Sequence, residues 1–183
     1  MVLVAITGAS GVDLAVILLK QLKQKGLQTE LTISKEAEKI INIETDYKVD
    51  EIIELSDNYY EVDDLSAGPA SGSYKNNIMV IIPCSMKTLA AIANGFADNL
   101  ITRAADVAIK EQRKLILVVR ESPFSAIHLE NMLKLSRLGV LIAPPIPSYY
   151  IKPKNITELN EYFIGRILDH MSIDSGIKSW GEK

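Results

Sequence analysis

The chain has 183 residues, a length that suits one compact domain of the common ~150-residue scale with terminal extensions, so 1–183 is read as a single domain. Its 20 Lys+Arg against 23 Asp+Glu leave a net charge of −3, and 48% apolar residues exclude general disorder. No apolar run approaches the ~18 residues of a membrane span, and the mild acidity without basic runs lacks the footprint of a nucleic-acid binder.

Residues 2–6 form a Val- and Ile-rich run of strand length. The start has neither the basic region nor the cleavage site of a leader, so a soluble, cytoplasmic protein is expected. Gly8-Ala9-Ser10-Gly11 follows and opens a helical pattern over 12–25. There Ala15, Leu18, Leu19 and Leu22 share one face, and Gly26 stands at the expected C-terminal cap. Backbone N–H groups and the helix dipole at such a turn favour an anion. The turn is neither a GxGxxG fingerprint nor a Walker A loop, and Val12 rules out a G-x-S-x-G elbow. A plain strand-to-helix turn capped by Ser10 is the alternative.

A second strand pattern at 31–33 leads to helical patterns over 35–41 and 49–55. The longest irregular stretch is 57–77, with small residues at 66–73. A lid or binding loop is one reading of it and a linker the other. The third strand, 78–82, ends in Pro83-Cys84-Ser85-Met86-Lys87-Thr88, where hydroxyl-bearing residues again open a helix, over 87–94. Two such turns on one sheet edge suit a ligand with a phosphate and further polar groups. Cys84, the single cysteine, excludes an internal disulfide and reads as buried and inert. With His128 and His170 the only histidines, a zinc site of ordinary spacing cannot be assembled, and no metal is expected.

On the helix over 99–112, Arg103 and Lys110 lie two turns apart on one face, with Asp106 able to pair with either. That face is either a solvated ion-pair network or a phosphate clamp. The strand at 115–119 ends in Arg120 and Glu121, a cation and a carboxylate at the edge where α/β proteins bind ligands. Beside an apolar ligand, Glu121 can exchange protons near neutral pH; as a surface ion pair it would not. A helix over 126–137 and a strand at 140–143 precede the proline-stiffened stretch 144–153, which can hold a tyrosine hydroxyl at low entropic cost. The last helix, 155–171, carries the stripe Leu159, Phe163, Ile167 and His170, with Arg166 at its border. Trp180 lies in a polar tail, which implies a neighbouring subunit or a ligand to pack on. The alternation of strands and helices implies a parallel sheet covered on both faces.

Together, Gly8-Ala9-Ser10-Gly11, Ile33-Ser34-Lys35, Glu44-Thr45-Asp46, Ala70-Ser71-Gly72-Ser73, Pro83-Cys84-Ser85-Met86-Lys87-Thr88, Asp98-Asn99-Leu100-Ile101, Arg103-Ala104-Ala105-Asp106, Lys110-Glu111, Val119-Arg120-Glu121, His128-Leu129 and Tyr150 with Pro153 closely resemble the UbiX family of flavin prenyltransferases. The resemblance covers nearly the whole chain in order. It implies a flavodoxin-like (Rossmann-like) sheet and a metal-free transfer of a dimethylallyl group from dimethylallyl phosphate to reduced FMN. N5 bonds to the prenyl C1 first, and C6 then closes a fourth ring. The product, prenylated FMN, serves UbiD-type decarboxylases of ubiquinone-related or other aromatic pathways.

By the same resemblance, Gly8, Ala9, Ser10, Ser34, Ser85, Met86, Lys87, Thr88 and Arg120 contact FMN, while Lys110, Arg120, Tyr150 and Arg166 hold the prenyl phosphate. Arg103 and Glu44 complete the site, from the same or an adjacent subunit, and Trp180 lies near the prenyl group. Glu121 with Ser10, or the released phosphate, handles the proton of ring closure. The family also implies a homo-oligomer, a dodecamer, with 155–183 part of the site or of a subunit interface. One departure is Val12-Asp13-Leu14-Ala15, where the family commonly continues Ala-x-Tyr-Gly. Two other readings are a flavin-dependent peptidyl-cysteine decarboxylase and a non-catalytic FMN carrier. Against the first, no histidine precedes His128, and Pro69-Ala70-Ser71-Gly72-Ser73 replaces the Pro-Ala-Ser-Ala-Asn-Thr of that class.

Overall fold

The structure, a computed structural model, describes residues 1–177 and 181. It forms two compact units, Met1–Pro144 and Pro145–Lys183.

The first unit is built on β1 (Val2–Ile6), β2 (Thr29–Ile33), β3 (Asn58–Tyr59), β4 (Ile78–Cys84), β5 (Lys114–Val119) and β6 (Leu141–Ile142). All pair in parallel, in the order β3-β2-β1-β4-β5-β6. That is the doubly wound order, and without the two-residue β3 it reduces to the flavodoxin order expected from the sequence. Six helices connect the strands: α1 (Val12–Gln24), α2 (Lys35–Glu44), α3 (Val49–Ile53), α4 (Met86–Ala93), α5 (Leu100–Lys110) and α6 (Ala126–Arg137).

Alternation along the strands divides the core. Leu3, Ala5, Met79, Ile81, Leu115 and Leu117 pack with Leu89 of α4 and Ile101, Ala105 and Ala108 of α5. Val2, Val4 and Ile6, equally buried, project to the opposite face, and α1 packs its buried Ala15, Leu18, Leu19 and Leu22 on β1, β2 and β4. Gly26, just beyond the C-cap of α1, has φ +68, the left-handed region that glycine adopts without a Cβ penalty.

β2 begins two residues earlier than its apolar run suggests. Thr29 N–H donates to Asp57 Oδ2 at 2.7 Å, and the carboxylate of the fully buried Glu30 accepts from the hydroxyls of Tyr60 (2.9 Å) and Tyr74. Such partners let polar residues extend the buried strand, although the second Glu30 oxygen, Oε2, is buried without a hydrogen bond among the described residues. β3 pairs Asn58 with Glu30 and Tyr59 with Leu31, inside the stretch read as irregular. That stretch also holds a 3-10 turn, Gly68–Ala70, and is fastened rather than loose. Arg103 Nε donates to the Ala70 carbonyl at 3.1 Å, and Arg113 donates to the Gly72 carbonyl and to Asn76 Oδ1.

The strand order reverses between β1 and β4, where ligands bind in doubly wound sheets. Thr7, 2% exposed, joins the two strand ends there. Its hydroxyl donates to the Pro83 carbonyl at 2.7 Å and accepts from Ser85 N–H at 2.8 Å.

The second unit contains a 3-10 turn, Tyr149–Ile151, and α7 (Ile156–His170). Asn155 caps α7 by accepting from Glu158 N–H at 2.9 Å. Its buried residues are Ile164, Gly165, Ile167 and Leu168. Leu159 and Phe163 are only half-buried and His170 is exposed, so the buried stripe is rotated from the expected one. Among the described residues no helix is long and apolar enough to cross a membrane.

Candidate active site

A cavity of about 630 Å³ lies at the reversal point of the first unit. Residues that follow four different strands line it. Gly8 comes from the turn after β1, Ser34 from the turn after β2, and Ser85 to Thr88 from the turn after β4. Asn99, Ile101 and Thr102 of α5 and Glu121 after β5 also reach it.

Each approach has a local cause. A Cβ on Gly8 would stand 2.5 Å from Glu36 Cβ, so only glycine lets the β1–α1 turn lie against the start of α2. Ser34 N–H donates to the Ile6 carbonyl at 3.0 Å, and its hydroxyl caps α2 by accepting from Ala37 N–H. Ser85 caps α4 by accepting from Thr88 N–H at 3.3 Å and also donates to Thr88 Oγ1 at 3.1 Å. Asn99 and Thr102 cap α5 reciprocally. The N-terminal ends of α2, α4 and α5 therefore converge on one cavity, and three positive dipole ends favour an electron-rich or anionic group.

The β1–α1 turn behaves differently from its expected form. The N-cap of α1 is Gly11, with φ 105 and no side-chain cap, in place of Ser10. Gly11 N–H donates to Glu44 Oε2 at 2.8 Å, so Glu44 is bound to the turn and not to the large cavity. Ala9 and Ser10 are half-exposed in the same turn, outside the cavity lining. Asp13 is exposed and faces a separate depression of about 340 Å³ beside Glu44, Thr45 and Asp46. It does not point into the cavity.

At the end of β5, Arg120 N–H donates to the Cys84 carbonyl and its exposed side chain lies outside the lining. The Glu121 carboxylate accepts from Ser122 N–H at 2.9 Å, which holds it at the cavity rim. Cys84 is fully buried, and burial pushes its thiol far above the usual range, as its inert reading requires.

Arg103 and Lys110 are not at this cavity. Arg103 pairs with Asp106 at 2.8 Å, while Lys110 pairs with Glu111 and holds that carboxyl below the usual carboxylate range. A Cβ on Gly72 would fall 2.8 Å from Lys110 Nζ, so this pair is pressed against the 3-10 loop. Lys110 is eleven residues beyond Asn99, or about 16 Å along α5. In the second unit, the hydroxyls of Tyr150 and Tyr162 are 2.7 Å apart, and Arg166 pairs with Asp169 at 3.1 Å. Trp180 lies outside the described residues. Among the described residues no group of three or more His, Cys, Asp or Glu could hold a metal ion.

Sequence reading missed Thr7, Glu36 and Tyr162. Thr7 and Glu36 matter through contacts that no local pattern announces. Tyr162 lies one helical turn before Arg166, a spacing that puts both on one face of α7 and was legible.

Residues 1–168 match the family described as Flavoprotein. The flavin prenyltransferase UbiX of Methanocaldococcus jannaschii is 52% identical over 181 residues, 98% of each chain. The crystal structure of AnUbiX in complex with FMN and dimethylallyl pyrophosphate is similar at a TM-score of 0.97 and 44% identity, over 100% of this chain and 97% of that one. A dodecameric FMN-dependent UbiX-like decarboxylase from Escherichia coli O157:H7 gives a TM-score of 0.94 and 42% identity, over 98% of this chain and 99% of that one.

Proposed function

The chain belongs to the UbiX family of flavin prenyltransferases, and from that premise we propose that it joins the dimethylallyl group of dimethylallyl phosphate to N5 and C6 of reduced FMN. The observation that carries this reading is the cavity at the β1/β4 reversal, with three helix N-termini and Glu121 on its lining. Its volume lies within the ~300–1,000 Å³ range of small-molecule sites. Met86, Ala90, Ala91 and Ile101 offer apolar surface to a flat ring system, and Ser34, Ser85 and Thr88 offer polar groups. The residues present therefore fit FMN.

Reduced FMN supplies the two nucleophilic atoms that take up the prenyl carbons. The protein's share is binding, charge and proton transfer. Gly8, Ala9, Ser10, Ser34, Ser85, Met86, Lys87, Thr88 and Arg120 hold FMN. Lys110, Arg120, Arg166 and the Tyr150 hydroxyl hold the phosphate and offset the charge it gains on leaving, without a metal. Glu121 at the rim and the Ser10 hydroxyl take and pass on the proton released at ring closure. Arg103, Glu44 and Trp180 complete the site. Because Lys110 stands about 16 Å along α5 from Asn99, and the Arg103 guanidinium is held by the Ala70 carbonyl and Asp106, we place Lys110 and Arg103 in the site of a neighbouring copy. A homo-oligomer is then needed for activity, and a dodecamer is the form we propose, with the UbiX-like relative from Escherichia coli described as dodecameric. We take residues 1–183 as one functional unit, with 155–183 serving the site or a subunit interface, and a UbiD-type decarboxylase as recipient of the product.

The test is a mass spectrum of flavin extracted after anaerobic incubation of the protein with reduced FMN and dimethylallyl phosphate, no metal added. A flavin heavier by one five-carbon unit is the expected result. Bound but unaltered FMN would replace this reading with the carrier or the peptidyl-cysteine decarboxylase.

A further inference from the structure

Within the second unit, Tyr150 sits in the 3-10 turn Tyr149–Ile151, which Lys152 closes in the left-handed region with φ 52. Tyr162 stands on α7, one turn before Arg166. The two phenol oxygens are 2.7 Å apart and the rings meet edge to face, with centroids 5.9 Å apart and planes at 90°. Such a ring contact together with a hydroxyl bond fixes both the position of the Tyr150 ring and the direction of its oxygen.

Arg166 places positive charge near both phenols, but the Ser148 hydroxyl acts on Tyr150 alone. The hydrogen bond with Tyr162, helped by Ser148 and Arg166, holds Tyr150 below the ordinary tyrosine range. The same bond pushes Tyr162 up.

We propose that Tyr162 is a positioning residue: through the hydroxyl bond and the edge-to-face ring contact it holds the Tyr150 hydroxyl toward the phosphate of the prenyl donor. The inference rests on the reading of Tyr150 as part of the prenyl-phosphate site. Tyr162 does not touch the substrate itself.

The test uses the full chain and steady-state kinetics with dimethylallyl phosphate, comparing Tyr162→Phe, Tyr150→Phe and the double variant. Tyr162→Phe should raise KM for dimethylallyl phosphate about twofold to tenfold, the worth of one hydrogen bond, with FMN binding unchanged. In the Tyr150→Phe background it should add nothing, because the effect passes through Tyr150. An absorbance titration of the tyrosines gives an independent readout. Loss of the bond that holds Tyr150 low should move the first tyrosine to ionise to higher pH. An unmoved titration, or additive effects in the double variant, would overturn the positioning role. If Tyr150→Phe raises KM and Tyr162→Phe does not, this inference fails and the prenyl-phosphate site stands. If Tyr150→Phe itself leaves KM unchanged, the role of Tyr150 falls first.

Discussion

The turn after β1 and the turn after β4 are written in similar residues, yet the fold uses them in opposite ways. In the second turn the hydroxyl of Ser85 accepts from Thr88 N–H and donates to Thr88 Oγ1, and its backbone N–H is bound by Thr7. Its N–H, its hydroxyl proton and one hydroxyl lone pair serve the turn, and only the second lone pair is left for a ligand. In the first turn Gly11 is the cap, its N–H is taken by Glu44, and the Ser10 hydroxyl makes no hydrogen bond among the described residues. A serine that caps a helix is committed to the backbone, whereas a serine displaced from the cap by a left-handed glycine stays available for chemistry.

Substitutions can break or sharpen this contrast. The largest effect should come from Ser10→Ala, which removes the proposed proton relay. Formation of prenylated flavin should slow by about 10²-fold while stability stays within about 0.5 kcal/mol, read from single-turnover kinetics and a denaturant melt. A loss of stability comparable to that of a cap would mean that Ser10 is structural after all. Gly8→Ala should cost about 1–3 kcal/mol, because the new methyl would overlap Glu36 Cβ across the turn. Wild-type melting in that variant would show that α2 can move aside. Ser85→Ala should cost about 1 kcal/mol of stability through the lost α4 cap. A larger loss of FMN binding than of stability would give Ser85 a direct role as well. Asp13→Asn should be the quietest, with FMN affinity changed less than about twofold, since an exposed charge outside the cavity is screened by solvent. A tenfold gain in affinity would bring Asp13 back to the flavin phosphate.

Much of the fold is legible because it rests on local pattern. The stripe Ala15, Leu18, Leu19 and Leu22 is buried as read, and the strands at 2–6 and 115–119 lie where their Val and Ile runs place them. β3 and the start of β2 were not legible, because Asn58, Tyr59, Thr29 and Glu30 carry no apolar alternation. The start of β2 depends on Asp57, Tyr60 and Tyr74 answering the polar groups of Thr29 and Glu30, and β3 depends on its pairing with that strand. The site shows the same division. Gly8, Ser34, Ser85, Met86, Lys87, Thr88 and Glu121 meet at one cavity, as residues that follow parallel strands should. Arg103 and Lys110 share a helix face as their spacing requires, but that face holds the 3-10 loop in place of lining the cavity.

The sequence by itself determined the alternation of strands and helices, the two turns on one sheet edge, the inert Cys84 and the family whose motifs it carries. These follow from periodicity, burial preference and residue order, all of which are properties of neighbours along the chain. Only the tertiary structure decided which serine caps and which is available, that Asp13 faces away from the cavity, that Thr7 ties β1 to β4, and that Tyr162 holds Tyr150. Those outcomes depend on groups as far as 78 residues apart reaching hydrogen-bond distance, as the Ser85 N–H and the Thr7 hydroxyl do, and such distances are set by how the elements pack.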